Sequence, residues 1–324
     1  MSYPAYQYVN LPYQVDNAGE ASMPSHTPVL LNESVTGLHI KANGIYLDAT
    51  FGRGGHSRVI LNQLGEQGQL MVLDRDPQAI SAAHELAATD HRVQVLAGTF
   101  SQLGDLISQD INVDGALFDL GISSPQVDQS ERGFSFQQDG PIDMRMDNAH
   151  GMSAADWLNR ANSDEIAWVL TTYGEERFGD DIAKQIVQAR ARSPIKTTKQ
   201  LVEVILAVVP SMAAGKHPAT KVFQAIRMHI NDELDEIRAG LPIVTERMNS
   251  QARLVVISYH SIEHQLVSDV LKRKHISEDL TDSTSSKPKL RKVGHAIRAN
   301  RDERLANRRA RSALLRIWEK KDGT

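Results

Sequence analysis

The sequence predicts an α/β protein, with a doubly wound, mostly parallel sheet and a helical insertion. Three observations predict it. Short apolar runs alternate with amphipathic segments up to about residue 128, periodic helical segments alone follow as far as Lys216, and an apolar strand pattern returns at Arg253–Tyr259. Strands separated by helices need crossover connections, which gives a parallel sheet covered on both faces. With 324 residues, 41 % of them hydrophobic, the chain can bury a full core and still furnish a second lobe.

Residues 1–25 are rich in Tyr, Pro, Asn and Ser without an apolar period, and read as a flexible leader. The alternation then runs strand Ile45–Ala49, a Gly-rich turn, helix Ser57–Leu64, strand Gln69–Leu73, helix Pro77–Ala88, a strand near Val93–Leu96 and strand Gly115–Leu120. The insertion, residues 128–216, carries helical periods at Ala154–Arg160, Asp164–Tyr173, Asp180–Ala191 and Thr198–Val208. Trp157, Trp168 and Tyr173 fall on its amphipathic faces and are expected in its core rather than as base-stacking platforms. Pro218 opens one long helix, in which Phe223, Ile226, Ile230, Leu234 and Ile237 recur at three- and four-residue steps. Asp232, Glu233, Asp235 and Glu236 read as its wet face. After the returning strand come a helix from Ile262, a polar stretch Ser277–Ser286, a basic region and a strand-like run Ala313–Trp318. The sheet domain is thus residues 26–127 with 217–324.

Composition excludes several classes. No apolar run is long enough to span a membrane and the first 25 residues lack a signal-peptide pattern, so the expected setting is the cytoplasm, with no membrane partner. Zero cysteines exclude disulfides and thiolate metal sites. The net charge of −4 argues against nucleic-acid binding by bulk electrostatics, so a basic surface has to be local. Lys287–Lys321 supplies one, with thirteen Lys and Arg against three acidic residues; the alternative is a solvated tail.

The segment Asp48-Ala49-Thr50-Phe51-Gly52-Arg53-Gly54-Gly55-His56-Ser57 joins the first strand to the first helix. Its glycines admit a ligand close to the backbone, and the helix start offers free N–H groups. Asp74 ends the next strand, where a carboxylate accepts hydrogen bonds from ribose hydroxyls. Together they imply an adenosine-containing ligand. Gly52-x-Gly54-x-x-Ser57 nearly fits a dinucleotide fingerprint as well, which leaves a nicotinamide-dependent oxidoreductase as the rival reading. An acidic strand end suits a cationic sulfonium cofactor, S-adenosyl-L-methionine, better than it suits a pyrophosphate.

Strand Gly115–Leu120 runs into Asp119-Leu120-Gly121-Ile122-Ser123-Ser124-Pro125-Gln126. A carboxylate and two hydroxyls there are placed to hold an exocyclic amine and aim its lone pair, although Ser-Ser-Pro is also ordinary turn chemistry. His260-Ser261-Ile262-Glu263-His264 matches an inverted zinc-protease motif, but His260 ends a strand and no third ligand is evident, so no metal is expected. Lys216-His217-Pro218 with Arg227 beyond it forms a helix start suited to phosphate. The catalytic candidates are Asp119, Ser124 and His260.

The blocks His26 to Leu31, Thr50 to Ser57, Asp74 to Pro77, Asp119 to Gln126, Glu131 to Phe136 and Asp143 to Asp147 together resemble the MraW family, the small-subunit ribosomal RNA methyltransferases H. Tyr173 to Phe178, Lys216 to Thr220, Ser258 to Glu263 and Arg309 to Ser312 continue the resemblance, from about residue 26 to 319. It implies a class I methyltransferase fold with a substrate-recognising insertion. It also implies a bacterial enzyme that methylates N4 of a cytidine in the decoding region of small-subunit rRNA, within a ribosomal subunit or late assembly intermediate. By the family's pattern Gly54, Gly55 and His56 contact S-adenosylmethionine, Asp74 its ribose and Phe100 its adenine region, with Asp119 and Gln126 completing the set. Lys216, His217, Arg227 and Arg309 are the candidates for RNA. A non-catalytic rRNA-binding factor on the same fold is the second rival. The chain departs from the family at His264 (an acid there), at Arg308 (Pro there) and in its longer leader.

Overall fold

Leu70–Leu73 and Ala116–Phe118 are buried at every position, with no polar side for water, which is the pattern of interior parallel strands. The computed structural model describes residues 28–209, 217–272 and 290–322. The strands among these are β1 (Ile45–Asp48), β2 (Gln69–Asp74), β3 (Val93–Ala97), β4 (Val113–Asp119), β5 (Met248–Ser258), β6 (Leu290–Ile297) and β7 (Leu314–Lys320). They form one seven-stranded sheet, ordered β3-β2-β1-β4-β5-β7-β6. β1 to β5 are parallel, and β7 enters antiparallel between β5 and the edge strand β6.

The helices α1 (Leu31–Leu38), α2 (Gly55–Leu61) and α3 (Pro77–Thr89) bury Leu38, Ile60 and Ala83 against one face of the sheet. The short helices α4 (Leu103–Leu106) and α5 (Ser124–Asp128) follow β3 and β4. The insertion consists of α6 (Ala154–Arg160), α7 (Ser163–Thr172), α8 (Gly179–Arg192) and α9 (Thr198–Leu206), around a separate core with Leu158, Leu170 and Ile186. Ser153, Asn162 and Thr197 cap α6, α7 and α9 by accepting backbone N–H bonds. After it come α10 (Ala219–Ile230), α11 (Glu233–Glu246), α12 (Ser261–Lys272) and α13 (Arg301–Ala306). On the second sheet face α11 and α12 bury Leu234, Ile237, Leu241, Val267 and Leu271.

Expectations for the long helix, its acidic face and Trp168 are corrected, and the tail alternative falls away. The long helix from Pro218 is two, because its apolar positions serve two cores: Val222, Phe223 and Ile226 pack with the insertion, Leu234 and Ile237 with the sheet. Asp232, at φ 51°, turns the chain between them, and the buried Asn231 side chain secures the turn by donating to the Met144 and Arg227 carbonyls. Met228, before the turn, already joins the sheet core, so the two cores meet along the last turn of α10. Glu233 is not on a wet face but buried against Arg227. Trp157 is core, whereas Trp168 is 53 % exposed, edge-on to Tyr173. The basic region is no tail from Leu290 onward: it supplies β6, α13 and β7. The leader, Lys216 and Ser277–Ser286 lie outside the described residues.

Candidate active site at the carboxyl ends of the strands

Parallel registration brings the ends of β1, β2, β4 and β5 to one rim, with Asp48 level with Val72 and Leu117, and Asp119 level with Ile257. A crevice of about 2090 Å³ opens there. Small-ligand clefts are typically about 300–1,000 Å³, so it has room for a nucleoside cofactor and a second nucleotide together.

The loop after β1 is braced from below. Asp48 is buried, accepting from the Ser57 hydroxyl (2.6 Å) and the Thr50 N–H (3.1 Å), so this acidic strand end stabilises the loop and leaves the crevice to its neighbours. The Thr50 hydroxyl accepts the Asp119 N–H at 2.7 Å, tying β1 to β4. Gly52 (φ 56°) and Gly54 (φ 73°) take the left-handed conformations that the turn demands. A Cβ on Gly54 would lie 2.7 Å from the Phe51 ring and one on Gly55 2.2 Å from Pro28. These glycines make room for protein, and what they offer a ligand is backbone.

Asp74 accepts from the Gly52 N–H (2.8 Å) and the Asp76 N–H (2.9 Å), and burial raises its pKa to about 6. Asp119 accepts the Tyr259 hydroxyl at 2.8 Å; burial raises its pKa, while His56 and the Tyr259 hydroxyl pull it back. Burial, then Asp119, raises the Tyr259 phenol well above its usual range, so it stays a donor. A Cβ on Gly121 would lie 2.6 Å from the Tyr259 ring, which is why the turn after β4 carries glycine there. His56 is buried with Nε2 3.3 Å from the Val29 carbonyl. Phe100 lines the crevice, edge-on to Phe118 with centroids 5.1 Å apart.

Gln126 is a brace: its carbonyl accepts the Ser123 N–H at 2.9 Å and its amide donates to Asp76 at 2.9 Å. Asp76 also receives Arg132 (3.0 Å), whose Nη2 reaches the Arg145 and Met146 carbonyls. The blocks around Gln126, Arg132 and Met144–Asp147 thus hold one another. Arg309 crosses from the basic region to donate to the Ser124 hydroxyl at 2.6 Å, and Glu303 accepts the Leu30 N–H at 2.7 Å, closing the rim with late residues.

Arg227 departs from its expected role. It gives Nε and Nη2 to Glu233, each at 2.7 Å, and stands 3.9 Å from Glu263, so its guanidinium belongs to an internal network and not to a phosphate. Glu263 accepts the Tyr259 and His260 N–H groups; burial pushes its pKa up to about 7 against the pull of Arg227. His260 lines the crevice with Nε2 3.9 Å from Glu263. His217 does not line it: its ring stacks on Phe136, 4.6 Å away. Tyr259 and Asn231 were missed by sequence reasoning, since neither lies in a motif that announces its contact. No group of three or more His, Asp or Glu among the described residues is disposed to hold a metal ion, and His264 of the zinc-like motif faces Ser258.

This sheet order, with its antiparallel strand beside the edge and its glycine loop and acidic tips at one rim, defines a class I methyltransferase. The MraW methylase family matches residues 23–321, and the chain belongs to that family. It is 48 % identical over 308 residues to ribosomal RNA small subunit methyltransferase H of Shewanella baltica, covering 92 % of this chain and 98 % of that one. It is 48 % identical over 301 residues to the protein of the same name from Stenotrophomonas maltophilia, covering 92 % and 94 %. A solved rRNA methylase from Streptococcus thermophilus is similar at a TM-score of 0.41 and 9 % identity, covering 90 % of this chain and 96 % of that one. The protein is a methyltransferase whose cofactor is S-adenosylmethionine, and the oxidoreductase reading falls away.

Proposed function

We propose that the protein methylates N4 of a cytidine in the decoding region of small-subunit rRNA, on a ribosomal subunit or late assembly intermediate. One observation carries the reading: Asp119, fixed by Tyr259, stands in the same crevice as Asp74, the glycine loop and the Ser123-Ser124-Pro125 turn. The crevice suits a cationic nucleoside. Neither Asp74 nor Asp119 has a salt-bridge partner among the described residues, and a Cβ on Gly52 would meet only Ser123, at 3.9 Å.

In this reading Asp74 holds the ribose, Phe100 walls the adenine, and the backbone at Gly54, Gly55 and His56 receives the amino-acid end. Gln126 acts through Asp76 and Ser123. Bound there, S-adenosylmethionine supplies an electrophilic methyl carbon to the incoming nitrogen. Asp119 accepts an N–H of the cytosine amine and aims its lone pair, and alignment of this kind accounts for most of the acceleration. Ser124, held by Arg309, orients the nucleotide, and His260 receives the proton that the methylated amine releases. Arg309 and Lys216 are the RNA contacts retained from the sequence reading; His217 is assigned to the insertion's packing.

The test is methyl transfer from labelled cofactor to small-subunit rRNA of a strain lacking the gene, with the product mapped. One N4-methylated cytidine is expected. RNA binding without methyl incorporation would favour the non-catalytic factor, and a cytidine still modified in the deletion strain would remove the assignment.

A further inference from the structure

Charge is distributed unevenly on the two faces of the sheet's free edge. On one face Glu319 pairs with Arg253 at 3.1 Å and also with Arg291. On the other, Arg316 is level with Val256, and Trp318 with both Leu254 and Lys292, so Arg316 and Lys292 share the face that α12 covers. His264 and Lys272 lie along one stripe of α12, and Arg298 directly follows β6. None of Lys272, Lys292, Arg298 and Arg316 has a salt-bridge partner among the described residues, and the Arg316 Nε is buried without an acceptor. Burial, then Arg316 and Arg298, holds His264 at a pKa of about 4. Burial, then Arg316 and Lys272, lowers the Lys292 ammonium. Strand register sets Arg316 and Lys292 on one face of the edge, and these mutual influences agree with Lys272, Arg298 and His264 lying beside them.

The locus adjoins the active site. His264 is hydrogen-bonded to Ser258 at the tip of β5, and Arg298 stands two residues before Asn300, which lines the crevice. Register carries the cations away from that rim: Ile297 is level with Leu315, and Lys292 lies farther along, level with Trp318. Lys272, Lys292 and Arg298 are exposed and have no salt-bridge partner among the described residues, so they are open to an anion from outside, and RNA brings anions in a row.

We propose that this edge is the track for the phosphate backbone of the RNA substrate beside the target nucleotide, with Lys272, Lys292, Arg298 and Arg316 as its contacts. The inference rests on the rRNA methyltransferase reading and adds where the RNA lies. Binding of the full chain to small-subunit rRNA, followed against salt, tests it. A double variant, Lys292→Gln with Arg298→Gln, should bind at least about tenfold more weakly. It should also flatten the log–log salt slope by about 1.4–1.8, because each of the two phosphate contacts contributes about 0.7–0.9. Calorimetric affinity for S-adenosylmethionine should not change. Lys41→Gln with Arg247→Gln, beside Asp114 and Ser108 near the start of β4 and away from both the rim and the edge, should leave binding and slope as they are. Arg316→Met supplies a readout that a structural role would not give: a higher Tm for the free protein together with weaker RNA binding.

Equal losses from the two doubles, or wild-type affinity and slope in the edge double, overturn the proposal. A wild-type chain that neither binds nor methylates the rRNA overturns the functional reading and the edge with it. A chain that methylates while the edge double keeps its slope overturns the edge alone.

Discussion

Where α10, α11 and α12 meet, Arg227 is held by Glu233 through two 2.7 Å bonds with Glu263 beyond; at the free edge, Lys272, Lys292, Arg298 and Arg316 gather with no salt-bridge partner among the described residues. The first cluster is closed. Its members answer each other, and the Tyr259 and His260 N–H groups that Glu263 accepts keep the crevice wall in one position. The second is open, held by strand register and helix packing, so its cations keep capacity for a partner outside the chain. Asp74 stands between the two kinds, with two backbone N–H donors, no cation and lone pairs to spare. A charge matched inside the chain shapes the site, and one left unmatched is available to a ligand.

Breaking the closed cluster should have the largest effect. Arg227→Met strands Glu233 in a buried position and should cost about 3–5 kcal/mol, read as a shifted urea midpoint. A variant as stable as the parent would remove the distinction between the clusters. Asp74→Ala takes away a charged acceptor and should weaken S-adenosylmethionine by about 1.5–3 kcal/mol in calorimetry, or roughly ten- to 150-fold; undiminished binding would exclude Asp74 from the cofactor site.

The same carboxylate gives a pH test. With a pKa raised to about 6 in the free fold, it is ionised above that pH and protonated below. A ligand that needs the ionised form loses affinity as pH falls through 6, by up to about tenfold between pH 7 and 5. Asp74→Asn should flatten that profile, and a parent profile already flat would show that the ribose is held elsewhere. The smallest effect should come from the open cluster, where Arg316→Met removes an orphaned buried donor and should gain about 1 kcal/mol in the free protein.

What the sequence revealed follows from the range of each interaction. The β1–α2 loop, Asp74 and the Asp119 tip were legible because strand ends and glycine turns are shaped by immediate neighbours. Tyr259 was not, since its bond to Asp119 spans 140 positions and exists only once β5 lies beside β4. The break at Asn231 was hidden for a related reason: apolar spacing continues through it, and the two cores that divide the spacing come from separate parts of the chain. Glu233 read as solvated because charge pattern alone does not reveal a buried partner six residues away. β6 was masked by its composition, as an edge strand with most positions exposed keeps little apolar alternation. Trp168 shows the reverse, an apolar residue at helical spacing that the core does not take up.

The insertion of β7 between β5 and β6 has a consequence for biosynthesis. A growing polypeptide has made the glycine loop, both acidic tips and all five parallel strands before it reaches Leu314, yet at that point β5 still exposes an unpaired flank. Chains terminated there would present a bare strand to other nascent copies, and premature stops in this stretch are expected to yield insoluble protein rather than a sluggish enzyme.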